Sequence, residues 1–130
     1  VKLPIKLSKQ SREPYYHQIE EQIKALIASG QLIAGTPLPS IRALSKDLEV
    51  SVITTRRAFQ NLEYEGFIYT AQGKGTFVAE INRGTMQQVQ HDTVRKAINK
   101  AIETAKQHNY TNDDIKAIVR DVLDGKEDLS

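Results

Sequence analysis

The side chains of this sequence that could do chemistry are cations and hydroxyls at helical spacing, not a nucleophile beside its base. Ser51, Thr54, Arg56 and Arg57 crowd the first turns of one candidate helix, Arg42 opens another just before it, and Lys74 stands between Gly73 and Gly75. Guanidinium groups pair with phosphate oxygens and with the edge of guanine, while hydroxyls serve either partner. That set suits binding to nucleic acid. The three histidines, His17, His91 and His108, lie far apart and share no ligand or triad spacing. Gly73-x-Gly75 lacks the rest of a phosphate-binding fingerprint and follows a strand-like run without opening a helix. No catalytic residue, metal site or cofactor is expected, and the chain is not expected to be an enzyme. With no cysteine, disulfides and thiolate sites are excluded.

Positioning those groups requires two helices and a hairpin. Ser51 is a natural N-cap and Gly66 a natural stop, which predicts a helix over Ser51 to Glu65. Thr55, Ala58, Phe59 and Leu62 form its buried side. Its opposite side carries Ile53, Arg57, Gln60 and Tyr64, with Arg56 on the flank. Ser40 caps a shorter helix to Leu48 whose buried side is Ile41, Leu44 and Leu48, leaving Arg42 outward. The tight link Glu49-Val50 joins the two as a helix-turn-helix. Two β-like runs follow, Phe67 to Ala71 and Thr76 to Ala79, joined by Gln72-Gly73-Lys74-Gly75. A glycine-rich hairpin in that place is a wing, so the expected fold is mainly α with a small β-hairpin, a winged helix-turn-helix.

Upstream, Leu3 to Arg12 reads as an extended arm, with Pro14 at the first position of a helix striped by Tyr16, Ile19, Ile23, Leu26 and Ile27. Tyr15, Tyr16 and His17 read as packing residues rather than a binding cluster. Gly30 ends the helix. Gln31 to Pro39 is a loop with at most a short strand at Leu32-Ile33. Downstream, Ile81-Asn82-Arg83-Gly84 reads as a connector, and Thr85 with Gln88 as a capping box opening a helix to about Gln107. Its stripe includes Met86, Val89, Val94, Ala97, Ile98, Ala101, Ile102 and Ala105. Thr111 starts a last helix with apolar Ile115, Ile118, Val119, Val122 and Leu123, and Asp113-Asp114 in its first turn. Lys126 to Ser130 is expected to fray. The domains are thus 8–80 for the winged helix, 81–84 for a linker and 85–125 for a helical module.

Composition suits a globular chain, 39% hydrophobic and 26% charged. Residues 1–80 hold ten Lys/Arg against eight Asp/Glu, and 81–130 hold eight against eight, so any preference for phosphate must come from local placement. No run is long enough to span a bilayer and no apolar targeting segment opens the chain, so a cytoplasmic protein without membrane contact is expected. Val1 in place of methionine suggests processing or an artificial boundary, and the first residues carry no weight.

Several separated motifs occur in one order: Pro14-Tyr15-Tyr16-x-Gln18-Ile19, Gly30-Gln31-Leu32-x-x-Gly35, Leu38-Pro39-Ser40-Ile41-Arg42-Ala43-Leu44, Val50-Ser51 and Thr54-Thr55-Arg56-Arg57-Ala58. Leu62-Glu63, Glu65-Gly66-Phe67-Ile68 and Gly73-Lys74-Gly75-Thr76-Phe77-Val78 complete them. Over about residues 10 to 80 the chain resembles the GntR family of bacterial transcription factors, and its short two-helix end resembles the YtrA-like subfamily. The resemblance implies a sequence-specific regulator, typically a repressor of a nearby transporter operon, bound as a homodimer to an inverted-repeat operator in double-stranded DNA. It assigns contact roles to Arg42, Ser51, Thr54, Arg56 and Gly73, with Arg57 and Lys74 beside them. One departure is Val52-Ile53, where many members have an arginine after the serine. Valine and isoleucine can touch only a thymine methyl, so the commonest family operator is not expected to be read unchanged.

Two helices cannot bury so many apolar residues in a monomer. Pairing of Val94, Ala97, Ile98, Ala101, Ile102, Ala105, Ile115, Ile118, Val119 and Val122 with a second chain is favoured over their folding back on the winged helix. An unknown small-molecule effector would use the dimer interface or the hinge, since so small a module encloses little volume. The competing reading is a winged helix that binds nucleic acid without sequence preference or serves protein contact.

Overall fold

The computed structural model describes residues 2–126 and is mainly helical with one two-stranded antiparallel hairpin. The order is α1 (Tyr15–Ala28), α2 (Ile41–Leu48), α3 (Val52–Tyr64), β1 (Ile68–Ala71), β2 (Gly75–Val78), α4 (Arg83–Gln107) and α5 (Asn112–Leu123). Two compact units result, one running to His91 and the other beginning at Asp92. The tail expected to fray lies outside the described residues from position 127 on.

In the first unit, α1 and α2 both pack on α3. Ile19, Ile23, Leu44, Ala58 and Leu62 are sealed from solvent, and Phe59, Phe67, Ile68 and Val78 close the core. Polar side chains pin the same elements. Asn61 donates to Glu20 Oε2 at 2.9 Å, tying α3 to α1 through a carboxylate that is itself buried. Glu63 accepts from the Thr70 backbone N–H at 3.2 Å and from its hydroxyl at 3.1 Å, tying α3 to β1. Lys24 meets Glu65 at 2.8 Å while its ammonium lies 5.2 Å from the centre of the Phe67 ring. A buried carboxylate is tolerated only with such a partner, so these contacts hold the hairpin and α1 in one arrangement about α3.

Several local expectations change. Pro14 is the cap of α1 rather than its first residue, its carbonyl accepting from Gln18 N at 3.1 Å. The arm, read as extended, is also fastened to α1. Gln22 both accepts from and donates to the Lys6 backbone, at 2.9 and 2.7 Å, and Gln18 does the same for Ser8 at 2.8 and 3.0 Å. The two amides supply what a neighbouring strand would, and Ile5 is thereby carried into the core.

No strand forms at Leu32-Ile33. Leu32 turns into the core and Ile33 to solvent. The pairing with β2 occurs further on, where Leu38 N donates to Thr76 O and Val78 N to Thr36 O, both at 2.9 Å, with Pro37 opposite Phe77. The Pro37 nitrogen falls on the side of that ladder where no donor is needed. In the hairpin, Ile68 pairs with Val78 and Ala71 with Gly75, so β2 starts at Gly75 and Phe67 stays outside β1.

Helix α4 begins at Arg83, inside the stretch expected as a connector, and Thr85 is not its cap. Asn82 takes that role, its Oδ1 accepting from Thr85 N at 2.8 Å. The earlier start brings Met86 and Val89 against the core of the first unit, and Gln90 donates to Ala28 O at 2.9 Å, satisfying a carbonyl at the end of α1.

The second unit differs in kind. Asn109 takes a left-handed conformation, φ 65°, between α4 and α5. Thr111 and Asp114 form a reciprocal cap on α5, Asp114 N donating to Thr111 Oγ1 at 3.2 Å and Thr111 N to Asp114 Oδ2 at 2.9 Å. The backbone N–H of Thr111, and then its side chain, hold the Asp114 carboxyl below the usual aspartate range. Neither α4 nor α5 contains a buried residue.

Candidate nucleic-acid interface

The buried face of α3 sets what its other face can do. Thr55, Ala58, Phe59 and Leu62 are buried, which leaves Ile53, Arg56, Arg57, Gln60 and Tyr64 outward along the helix. At its start, Ser51 Oγ accepts from Thr54 N at 3.0 Å and lies 2.9 Å from Thr54 Oγ1. These two hydroxyls are brought together and serve the cap as well as any outside partner. Val52 is half-buried, whereas Ile53 is 76% exposed.

Helix α2 is built the same way. The Ser40 hydroxyl accepts from Ala43 N at 3.0 Å, and Arg42 is exposed in the first turn. The turn between the helices passes through Glu49, a non-glycine residue in the left-handed region at φ 56°, with Val50 N returned to Ser45 O at 3.1 Å. At the wing, Gly73 and Gly75 take φ of 78° and 120°, backbone that side chains rarely adopt, and Lys74 N closes the turn on Ala71 O at 2.9 Å. The tip therefore needs glycine on both sides of Lys74. Tyr69 stacks on Phe77 behind it, ring centres 5.6 Å apart.

Arg42, Arg56 and Lys74 are all exposed, and none has an ion-pair partner among the described residues. Arg57 is different: its guanidinium lies 4.0 Å from the centre of the Tyr16 ring. Tyr16, taken from the sequence as packing alone, also orients this arginine through its π face. A tyrosine on α1 and an arginine on α3 have no spacing in common, so only the packed helices show the pair. His17 sits between Glu13 at 3.7 Å and Glu21 at 3.5 Å, accounted for by one neighbour just before its helix and one on it. Among the described residues no group of His, Asp or Glu is placed to hold a metal ion, and no helix is long and apolar enough to cross a membrane.

Residues 15–78 match the model of the family described as bacterial regulatory proteins, gntR family. The chain is 30% identical to the HTH-type transcriptional repressor YtrA of Bacillus subtilis over 95% of its own length and 98% of that protein's. This chain belongs to the GntR family. It is a transcriptional regulator with a winged-helix fold and not an enzyme. The repressor NagR of Bacillus subtilis is 43% identical over 74 residues, a match that covers 57% of this chain but only 30% of NagR. Among solved structures, a GntR family transcriptional regulator from Listeria monocytogenes superposes with a TM-score of 0.64 at 30% identity, covering 85% of this chain and 96% of that one. The DNA-binding domain of AraR in complex with operator ORX1 matches with a TM-score of 0.50 at 34% identity, over 61% of this chain and 92% of that domain.

Proposed function

We propose that this GntR-family chain is a sequence-specific repressor that binds an inverted-repeat operator as a homodimer in the bacterial cytoplasm, controlling a transporter operon. The observation that carries the reading is the set of exposed cations without ion-pair partners among the described residues, Arg42 on α2, Arg56 on α3 and Lys74 on the wing. Unneutralised cations on a helix-turn-helix and its wing are what a phosphate backbone engages. Ser51, Thr54 and Ile53 at the start of α3 are the groups that would meet base edges, with Arg57 held to one side by Tyr16 and Val52 half-shielded. Gly73 lets the wing approach closely. The name of YtrA as a repressor, and the AraR domain solved on its operator, favour the same role.

The homodimer rests on the second unit. Val94, Ile98, Ile118, Val119 and Val122 are between 45% and 68% exposed, Ala97 and Ala101 are exposed, and Ile102, Ala105 and Ile115 are half-buried. Leu123, at 80%, belongs with them. Aliphatic groups in such number on two helices without a fully buried residue are best satisfied by the same helices of a second copy. Phosphate contacts alone carry no sequence information, so binding without preference is the reading to be separated. An inverted repeat from the promoter upstream of this gene, competed against a shuffled duplex at about 0.15 M salt, makes the separation. Preference for the repeat by two orders of magnitude or more is expected, and equal competition would overturn the proposal.

A further inference from the structure

We propose that Ile53 reads the methyl group of a thymine in each half of the DNA site, which makes it a specificity-determining residue of this chain. The inference rests on the operator-binding reading above and names what one position of the operator must contain.

Ile53 is the second residue of α3 and stands on the face opposite Thr55, Ala58, Phe59 and Leu62. It is 76% exposed, while Val52 beside it is half-buried. The polar groups nearest in sequence already have partners, although the Ser51 and Thr54 hydroxyls keep capacity for a further hydrogen bond. Ser51 and Thr54 are bonded to each other and to the cap, and Arg57 is drawn over Tyr16. Ile53 is therefore the group that projects freely from the first turn, with Arg56 one turn further along the same side. A β-branched side chain in a helix is held essentially in one χ1 rotamer, so its methyls are already positioned and little freedom is lost on contact.

The first turn of a recognition helix is the part that reaches base edges in the major groove. Among those edges, thymine alone carries a methyl, at C5; cytosine has a bare C–H there, and the groups that complete the edges are hydrogen-bond donors or acceptors. Set against guanine, cytosine or adenine, Ile53 would cover a polar atom that loses its water and gains no partner. Set against thymine, it buries methyl against methyl, a contact that corresponds to about a three- to tenfold difference in affinity.

The test uses the full chain. A preferred duplex is selected from a random library, then remade with uracil in place of each thymine in turn, which removes the methyl and leaves base pairing intact. Dissociation constants are measured for the wild type and for Ile53→Ala, a change at an exposed position that leaves the core untouched. One thymine per half-site should lose three- to tenfold in wild-type affinity on conversion to uracil, and Ile53→Ala should be indifferent to the same conversion. Ile53→Val, which keeps the branch, should retain part of the sensitivity. If no thymine methyl matters, or if one matters equally to Ile53→Ala, the assignment of Ile53 is overturned while specific DNA binding stands. A selection that yields no preferred duplex overturns the operator-binding reading itself.

Discussion

The Ser45 hydroxyl donates to Thr55 Oγ1 at 2.8 Å, a buried contact that joins α2 to α3. The single Ser45 proton is shared with the Ile41 carbonyl at 2.7 Å, and Thr55 passes its own to Ser51 O at 3.5 Å. A hydroxyl chain in a closed core fixes the relative rotation of the helices, because apolar contacts alone would tolerate sliding. Ser45→Ala and Thr55→Val should each cost about 0.5–1.5 kcal/mol, since each leaves the other hydroxyl with a backbone acceptor. The double variant should cost less than the sum, as expected for residues in contact. Urea unfolding of all four proteins reads the coupling, and strict additivity would show that the two hydroxyls act separately.

Arg56 and Arg42 should fail differently. If Arg56 meets a base edge, Arg56→Ala weakens binding to the preferred duplex by about 1–3 kcal/mol and relaxes preference at one position. Arg42→Ala, at the start of α2, should weaken binding evenly across sequences, as loss of a phosphate contact does. Equal losses for both variants on preferred and shuffled DNA would return Arg56 to the backbone. Both proteins should fold, since neither side chain is buried.

Lys74 acts through charge. Lys74→Gln should lower affinity and reduce the slope of log K against log salt by about one unit. Gly73→Ala should lower affinity without altering the slope by a full charge, because it strains the positive φ of the tip and leaves the ammonium in place. A salt slope that stays the same in Lys74→Gln places this lysine on the solvent side of the wing.

The second unit should set the oligomeric state. Ile98→Glu puts a carboxylate on the exposed apolar stripe of α4, and association should be opposed because burying an unpaired charge is costly. Sedimentation should show the wild type as a dimer and the variant as a monomer. Affinity for a full inverted repeat should fall by roughly 10²–10⁴, while a single half-site is bound as before. A truncation meant to give the same result belongs after His91, not near Arg83, because Met86 and Val89 pack on the first core and Gln90 closes the end of α1. A wild type that sediments as a monomer with full operator affinity rules out pairing.

Asp114 gives a pH signature. Its carboxyl is held below the usual aspartate range by the Thr111 N–H and side chain, so the cap is complete above the ordinary aspartate range. It is lost as pH falls through the depressed value, with helicity of α5 falling alongside. Carboxyl NMR should show Asp114 titrating below the ordinary aspartate range. In Thr111→Val the value should move up, though not fully, because the backbone N–H remains. An Asp114 that titrates in the ordinary aspartate range would mean that the cap is open in solution.

Elements whose cause is local can be read along the chain. Ser40, Ser51 and Thr111 each cap a helix through an N–H three residues on, and the bond forms wherever the chain turns that way. The buried stripe of α3 needs only helical periodicity, and the wing needs only glycine at the two positions of positive φ. The motif and the exposed cations were legible for that reason. Tertiary structure decided whatever depends on partners distant in the chain. Gln18 and Gln22 are ordinary surface residues on a wheel, yet they become surrogate strand partners for Ser8 and Lys6 once Ile5 is buried. Pro37 pairs with Phe77, rather than Ile33 with any strand, because Leu32 is taken by the core. The stripe of α4 reads as one face, but Met86 and Val89 are partly covered by the core of the first unit while Val94 and Ile98 stay exposed. Periodicity says which side of a helix is apolar; where the neighbouring surface ends decides how much of that side is covered.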